Sequence, residues 1–215
     1  NNKKAVEIMI KQAPKAIKRL IKLGVGFSKT KEDLSLTKEG GHSARRIAHA
    51  HDATGKEIER ALIHQVRHND NISIFESHLA FELITNDNQC HGALVLDTED
   101  NKILTFNSKA TILATGGSGQ VYLRNSNPKI ATGDGIAMAY EAGAEIQDME
   151  FFQFHPTALD KKNKPAFLIS EALRGESAIL RNSKKQKFMN KYHKLADLAP
   201  RDIVARAIYN ESKDG

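Results

Sequence analysis

The 215-residue sequence contains a single cysteine, Cys90, and no apolar run long enough to cross a bilayer. One cysteine excludes an intrachain disulfide framework and is typical of a reducing compartment. A membrane-spanning helix needs roughly 20 consecutive apolar residues, and no stretch approaches that length. The opening residues begin a helix and show no charged-then-apolar signal pattern. We therefore expect a cytoplasmic protein that has no membrane partner.

Basic residues outnumber acidic ones, which gives a formal net charge of +6 and raises the question of a nucleic-acid partner. The lysines and arginines of residues 11–22 fall at helical spacing opposite Ile17, Leu20 and Ile21, as on a solvated helix face. The basic cluster at 181–194 has no aromatic platform of the kind on which single strands stack. We expect no nucleic-acid partner. A basic nucleic-acid-binding module stays an alternative, which the salt dependence of DNA binding would test.

Hydrophobic periodicity and turn residues predict an α/β protein with an α+β part. The predicted helices cover residues 3–23 with a break near Pro14, residues 54–67 from a capping box, and residues 133–142, 169–174 and 200–210. The predicted strands are Ile72–Phe75, Leu79–Thr85, Gly92–Thr98, Lys102–Phe106 and Thr111–Ala114, with a meander formed by the last three. After Glu145 the residue pattern changes to an irregular stretch rich in aromatic residues, so a domain boundary is predicted near Asp148.

Four segments carry residue types that a packed core does not need. The first, Glu39 to Arg46, places two glycines among Glu, His, Ser and Arg side chains. Glycine lets the backbone approach a ligand closely, and the flanking side chains supply polar contacts. A surface turn with incidental charge is the alternative for this segment.

The second segment, Ile112 to Gly117, has the pattern of a buried strand that runs into two glycines. Open α/β sheets place ligands at such strand ends. Gly133-Asp134-Gly135 follows, and it could present a helix N-terminus to an anion. Alternatively, Asp134 only caps that helix.

The third segment, Phe151 to Thr157, alternates aromatic and polar residues. In an extended chain Gln153 and His155 point to one side while the phenylalanines between them point to the other. The fourth comprises residues 170–176 and 199–202. Its arginines can hold carboxylates bidentately. Pro200 suits the first turn of a helix that presents Arg201. A structural histidine and structural salt bridges are the alternatives.

Together these segments resemble the succinate dehydrogenase and fumarate reductase flavoprotein family over nearly the whole chain. Five sequence motifs, which occur in this order along the chain, carry the resemblance: ILATGG at 112–117, TGDGIAMA at 132–139, QFHPTAL at 153–159, SEALRGE at 170–176 and LAPRDIVARA at 198–207. The resemblance implies a partial FAD-binding Rossmann-like domain over residues 1–148, lacking its N-terminal βαβ unit. Residues 149–215 would then form the first part of a fumarate-reductase-type capping domain.

Within the family, EGGHSARRIAHAHDATG at 39–55 is similar to the members that oxidise L-aspartate. Glu39 matches a glutamate that meets the substrate's amino group, where the reductases tend to have an aromatic residue. The resemblance implies oxidation of L-aspartate to iminoaspartate, with hydride transfer to FAD and reoxidation by oxygen or fumarate. This is the first step of bacterial NAD biosynthesis, and quinolinate synthase acts next. The alternative is a fumarate reductase or succinate dehydrogenase flavoprotein subunit, acting on another C4 dicarboxylate with an iron–sulfur partner.

The resemblance also implies roles for particular residues. Arg201 matches the family's proton-transferring arginine; because a guanidinium scarcely deprotonates, a relay to a carboxylate or electrostatic support is an alternative role. No metal ligand is expected. The positions that match the dicarboxylate site are Glu39, Gln153, His155, Ser170 and Glu171. The positions that match the flavin site are Leu79, Ala80, Thr115, Gly116, Gly117 and Asp134.

The sequence departs from the family in three respects. No GxGxxG turn occurs in these residues, the family's later substrate His and Arg are absent, and Ser177 replaces a glycine common after RGE. We therefore expect an internal fragment that by itself binds FAD weakly and is inactive. The full-length protein is expected to bind FAD.

Overall fold

The computed structural model describes residues 2–31, 33–39, 42–51, 53–159 and 166–213. Three short 3-10 helices cover Gly119–Val121, Met189–Lys191 and Ala196–Leu198. The helices and strands are, in chain order, α1 (Lys3–Lys22), β1 (Lys29–Thr30), β2 (Asp33–Leu34), β3 (Leu36–Thr37), β4 (Ile47–Ala48), α2 (Thr54–Arg67), β5 (His78–Asn86), β6 (Gln89–Asp97), β7 (Lys102–Asn107), α3 (Asp134–Glu141), β8 (Ala158–Leu159), β9 (Phe167–Leu168), α4 (Glu171–Gly175) and α5 (Arg201–Glu211).

The chain forms two compact units, each built from two stretches of sequence. Unit 1 contains residues 2–74 and 170–200, and unit 2 contains residues 75–169 and 201–213. The boundary predicted near Asp148 lies inside unit 2, and the division into an FAD-binding domain and a capping domain stays a prediction. Helix and sheet content is mixed, as predicted. All strand pairs in the described residues are antiparallel.

Helix α1 is continuous through Pro14, so the break predicted there is wrong. A proline removes one backbone hydrogen bond and crowds the preceding turn. Helix α1 tolerates this because none of its residues is buried, and a carbonyl group without a helical partner can bond to water. The helix ends as predicted at Gly24, which has a φ of +94°. The N–H groups of Gly24 and Val25 donate to the carbonyls of Ile21 and Leu20, which is the Schellman arrangement.

The core of unit 1 lies where α1 and α2 meet the turn that follows α1. Val25, Phe27 and Ala61 are buried there. Each helix contributes only part of one face to this core, so apolar side chains elsewhere on both helices stay exposed. The partly buried side chains packed around the core are Ile17, Leu20, Leu34, Ala48 and Ile58.

Glu57 links α2 to the turn after α1. Arg60 donates to both oxygens of its carboxylate at 2.7 Å, and the Gly26 N–H donates to Oε1 at 2.8 Å. Arg60 also donates to the Gly24 carbonyl at 3.1 Å. The predicted capping box is therefore wrong: Glu57 turns to Gly26, and the Thr54 hydroxyl accepts an N–H from the preceding loop. The bonds from Arg60 and then Gly26 lower the pKa of Glu57 from 4.5 to about 2.

This pKa makes the contribution of Glu57 to stability depend on pH. A carboxylate whose pKa is lower in the folded chain stabilises the fold above its unfolded pKa, and this stabilisation is lost as the pH falls toward the folded value. We expect the urea midpoint of the wild type to exceed that of Glu57→Gln by a constant amount at neutral pH. The difference should shrink between about pH 4.5 and pH 2. Glu59→Gln, an exposed change on the same helix, is the control. A Glu57→Gln difference that is constant from pH 7 to pH 2 would contradict the assignment.

Strands β5, β6 and β7 form a three-stranded antiparallel meander in unit 2. The strands predicted over 79–85, 92–98 and 102–106 are confirmed to within a few residues. The predicted strands Ile72–Phe75 and Thr111–Ala114 are wrong, and the meander includes β5 rather than Thr111–Ala114. A strand needs a neighbour for its backbone hydrogen bonds, and no described strand pairs with Thr111–Ala114. Ile112 is accordingly 88% exposed rather than buried.

The remaining helices follow the sequence prediction closely. Gly133, with a φ of +88°, is the N-cap of α3, and Gly143, with a φ of +85°, follows the end of that helix. Met138 and Gly135 give α3 its buried face, and α3 packs near β5 within unit 2. Helices α4 and α5 begin and end within two residues of the predicted bounds.

Candidate functional site

The predicted flavin-contacting turn Thr115-Gly116-Gly117 lies beside the start of α3 in unit 2. The Thr115 side chain rests on Gly135, where an added methyl group would come within 1.9 Å of Thr115 Oγ1. Gly116 has a φ of +76°, a conformation that favours glycine. Beyond the chain neighbours, no described atom comes within 4 Å of the position a Cβ would take at Gly116 or Gly117. The backbone of this turn is therefore open to a ligand.

Asp134 is the first residue of α3, and Gly133 is its N-cap. The Thr132 hydroxyl donates to the Asp134 carboxylate at 2.7 Å, and no side-chain capping bond is made at this helix start in the described residues. Asp134 is therefore not the N-cap of α3, and its contact with FAD stays a prediction. An exposed carboxylate here is stabilised by the helix dipole. It can also accept hydrogen bonds from a ligand that carries hydroxyl or amide donors.

Leu79 and Ala80 are adjacent on β5, so their side chains point to opposite faces of the meander. Leu79 is 45% exposed, and Ala80 is half-buried. They pair with Leu96 and Val95 of β6, and the register shifts after Ala80. A ligand on the face that carries the Leu79 side chain can therefore contact Ala80 only through its backbone.

The alternation in the segment Phe151 to Thr157 predicts one packing face and one polar face, and its aromatic side chains do pack together. The rings of Phe152 and Phe154 lie 4.9 Å apart, and both contact Tyr122, at 4.5 and 5.0 Å between centroids. Such tilted and edge-to-face pairs are favourable aromatic contacts. Tyr122 was not among the predicted residues, although it lies between the motifs at 112–117 and 132–139. The aromatic cluster fixes the segment and leaves Gln153 and His155 to make polar contacts.

Gln153, His155 and Arg201 form the polar group of unit 2. The half-buried Arg201 donates through Nη1 to Gln153 Oε1 at 3.4 Å. The Thr157 N–H donates to His155 Nδ1 at 3.2 Å. In the neutral ring the proton is therefore on Nε2, which makes Nε2 a hydrogen-bond donor. An amide, an imidazole donor and a guanidinium are suited to binding carboxylate oxygens.

A cavity of about 210 Å³ opens at this polar group within unit 2. Its wall combines the aromatic rings with Gln153, His155 and a second guanidinium, that of Arg124. Arg124 was missed because no motif singles it out, and only the fold brings its stretch against residues 152–155. The lining residues are Arg124, Asn125, Ser126, Asn127, Phe152, Gln153, Phe154, His155, Ala158 and Ala166.

The other predicted substrate residues lie in unit 1. Ser170 is the N-cap of α4, and its hydroxyl accepts the Ala172 N–H at 3.2 Å. Glu171 is buried and paired with Arg174 at 2.5 Å, with 4% and 3% of their side chains exposed. Arg174 was not proposed as a site residue, although its three-residue spacing from Glu171 is typical of a helical ion pair.

Glu39 lies close to α4 in the same unit. It is half-buried, and its N–H donates to His42 Nδ1 at 3.4 Å; Gly40 and Gly41, which the prediction also used, lie outside the described residues. A methyl group at Gly175 would come within 2.6 Å of the Lys38 carbonyl and 3.5 Å of the Glu39 Cα. The Lys38–Glu39 backbone therefore packs directly on the end of α4. The exposed ion pair Arg45–Glu176, at 2.7 Å, joins the same two segments.

The structure thus groups the predicted substrate residues into two sets. Unit 1 holds Glu39, Ser170 and Glu171 near α4, and unit 2 holds Gln153 and His155 at the cavity, with Arg201 bonded to Gln153. Among the described residues, no group of three or more His, Cys, Asp or Glu side chains could hold a metal ion. No helix of this part of the chain has the length and apolar character that spanning a bilayer requires.

An open glycine backbone beside the start of a helix suits the binding of an extended, partly anionic ligand, which defines the class as a candidate cofactor-binding protein. The sequence profile of the FAD binding domain family matches residues 1–215, so the chain belongs to this family. The predicted flavoprotein family and the predicted cofactor, FAD, are thereby confirmed.

The curated relatives include several L-aspartate oxidases. The chloroplastic L-aspartate oxidase 2-b of Nicotiana tabacum is 46% identical over 225 residues, covering 99% of this chain and 35% of the relative. The L-aspartate oxidase of Acinetobacter baylyi is 47% identical over 218 residues, covering 97% of this chain and 40% of the relative. The chain therefore spans well under half the length of these relatives.

Solved structures with a similar fold include fumarate reductases and an Sdh1 complex. An E. coli quinol fumarate reductase variant matches with a TM-score of 0.88 at 28% identity, over 96% of this chain and 37% of that one. The Mycobacterium smegmatis Sdh1 complex in the apo form matches with a TM-score of 0.72 at 36% identity, over 95% of this chain and 36% of that one. The FAD-binding fold of the fumarate reductase and succinate dehydrogenase flavoproteins is therefore confirmed.

The packing of Thr115 on Gly135 provides a test of the flavin-contacting turn. Gly135→Ala forces a methyl group into the Thr115 side chain, so we expect the free energy of unfolding to fall by about 1–3 kcal/mol. Displacement of the turn should also lower the flavin content of the full-length protein. Urea unfolding and flavin absorbance per mole of protein measure the two effects. Gly55→Ala, where a Cβ meets no described atom within 4 Å, is the matched control. Wild-type values for Gly135→Ala in both assays would show that this contact does not position the turn.

Proposed function

We propose that the full-length protein that contains this chain oxidises L-aspartate to iminoaspartate. The observation that carries the proposal is the packing of the Lys38–Glu39 backbone on Gly175, at the end of the helix that carries Glu171. This packing keeps Glu39 close to α4. The Glu39 carboxylate is expected to meet an ammonium group, and residues of α4 are expected to bind the rest of a dicarboxylate. The 46–47% identity to L-aspartate oxidases supports the same conclusion.

Substrate binding requires donors for two carboxylates and an acceptor for one ammonium group. In unit 2, His155 Nε2–H, the Gln153 amide and Arg201 are donors, and charge-assisted bonds of this kind are the stronger ones. In unit 1, the Ser170 hydroxyl is a further donor and the Glu39 carboxylate is the acceptor. Leu79, Ala80, Thr115, Gly116, Gly117 and Asp134 would contact FAD, which accepts the hydride when bound.

Arg201 is the residue proposed to handle the proton that leaves the substrate. Its position at the first turn of α5, after Pro200, restricts its freedom, and its bond to Gln153 orients the guanidinium. A guanidinium scarcely gives up its proton in water. Arg201 therefore acts together with a neighbouring carboxylate or as electrostatic support for the departing proton.

The wider setting follows from the proposed reaction. Iminoaspartate would be consumed by quinolinate synthase in NAD biosynthesis, oxygen or fumarate would accept the electrons, and the cytoplasm is the expected location. A fumarate reductase or succinate dehydrogenase flavoprotein is the second candidate, because solved structures of those names share the fold at 28–36% identity. Glu39 is the feature that favours L-aspartate, since fumarate and succinate carry no ammonium group.

Glu39→Gln in the full-length protein tests the choice between these substrates. Only L-aspartate presents an ammonium group, and truncating one partner of a buried charge pair costs about 2 kcal/mol or more. We expect kcat/KM for L-aspartate oxidation to fall at least roughly 30-fold while fumarate reduction changes far less. Steady-state kinetics of both reactions provide the measurement.

Glu176→Gln is the matched control, because it removes an exposed carboxylate from the same part of unit 1. It should leave both reactions close to wild type. Equal losses in both reactions with Glu39→Gln would remove the reason for preferring L-aspartate to fumarate or succinate.

Arg201→Lys separates proton handling from substrate binding. Lysine keeps the positive charge but loses the planar fork of arginine. If Arg201 acts on the proton in the transition state, kcat should fall by at least the roughly 100-fold typical of general acid–base groups. The dissociation constant of a non-reacting dicarboxylate should change much less, because His155 and Ser170 remain.

The control for this change is Arg206→Lys, on the exposed side of the same helix, where Arg206 pairs with Asp202 at 2.6 Å. It should retain both kcat and inhibitor affinity. A large loss of inhibitor binding with kcat nearly intact in Arg201→Lys would make Arg201 a substrate clamp and assign proton transfer elsewhere.

A further inference from the structure

Helix α2 ends in a pair of exposed histidines that the proposed reaction does not use. His64 lies in the last turn and His68 is the C-cap. The four-residue spacing places both side chains on one face of the helix. Their rings lie 4.2 Å apart between centroids and are tilted by 44°. Two imidazoles are therefore held side by side at the surface of unit 1.

The hydrogen bond made by His68 determines which of its nitrogens carries the proton. Nδ1 lies 2.8 Å from the main-chain carbonyl oxygen of His64. A carbonyl oxygen only accepts, so Nδ1 is the donor and the neutral ring keeps its lone pair on Nε2. Histidines that bind metals characteristically donate their other ring N–H to a carbonyl or carboxylate. His68 is thus already in the tautomer that a metal ligand requires.

The helix that carries the pair is fixed to the rest of unit 1. Gln65, between the two histidines in sequence, donates to the Leu23 carbonyl at 3.2 Å. One turn earlier, Ala61 is 2% exposed in the core. Ligands on an anchored helix lose less freedom on binding a metal than ligands on a loop.

We propose that His64 and His68 form a two-histidine site for a divalent transition-metal cation, with Cu²⁺ bound most tightly. A metal at about 2.0–2.1 Å from each nitrogen needs the two nitrogens roughly 3 Å apart, and both rings are exposed and free to turn toward each other from their centroid separation of 4.2 Å. No third His, Cys, Asp or Glu of the described chain completes a cluster, so water fills the remaining positions. Imidazole ligands suit Cu²⁺, Ni²⁺ and Zn²⁺, and the general affinity order places Cu²⁺ first.

The test is a metal titration of the metal-stripped full-length protein, purified without a histidine tag. Calorimetry with CuCl₂, NiCl₂ and ZnCl₂ is compared between the wild type and the double variant His64→Gln/His68→Gln. We expect one equivalent of Cu²⁺ that the double variant lacks, and the same site should bind Ni²⁺ and Zn²⁺ more weakly. Each single variant should bind Cu²⁺ at least roughly tenfold more weakly. The Cu²⁺ electron paramagnetic resonance spectrum should show coupling to two nitrogens in the wild type only.

Two further variants separate the pair from histidine content in general. The exchange H68N/N69H keeps the composition but places the second imidazole five residues from His64, off the shared face. It should lose the site. His91→Gln removes an exposed histidine of β6 and should keep it. The proposal is overturned if the wild type binds Cu²⁺ no more tightly than the double variant, or if H68N/N69H retains wild-type affinity. In that event the pair serves only as exposed polar side chains at the end of α2.

Discussion

The buried ion pair between Glu171 and Arg174 is the interaction on which the α4 region of unit 1 depends. Moving two charges out of water costs several kcal/mol for each ion unless both are paired and hydrogen-bonded. Arg174 donates to Glu171 within α4 and to the Asp197 carbonyl. The bond to Asp197 ties α4 to the 3-10 helix at Ala196–Leu198. Ser170 lies at one end of α4 and Gly175 at the other, where the Lys38–Glu39 backbone packs.

Local features of the fold could be predicted from the sequence, and features that depend on distant partners could not. The helix ends at Gly24 and Gly143 were predictable because a left-handed cap needs only its own residue and the last turn. The effect of Pro14 depends on whether water reaches the helix. Thr111–Ala114 has the residue pattern of a strand, but strand formation requires a neighbour whose presence the local pattern does not encode.

The candidate site shows the same division between local and long-range information. The contact between the Phe152 and Phe154 rings could be expected from the period of an extended chain, which is a local property, whereas the cavity that residues 152–155 line together could not. Tyr122 and Arg124 escaped prediction because their contribution depends on the fold returning that stretch to Phe152 and His155. Flavin binding was predictable from five sequence motifs in their order along the chain, whereas the burial of Arg174 became evident only in the three-dimensional structure.

Two glutamates predicted to bind substrate have different environments, and the difference bears on specificity. The charge of Glu171 is compensated by a guanidinium 2.5 Å away in a buried setting, so Glu171 would meet a substrate as part of a neutral pair. An ammonium group gains little from a carboxylate whose charge is compensated in this way. Under the proposed function, discrimination between L-aspartate and a C4 dicarboxylate without an ammonium group would therefore require a second carboxylate. Glu39, which is half-buried and whose backbone packs on the same helix, is the residue that we propose for this role.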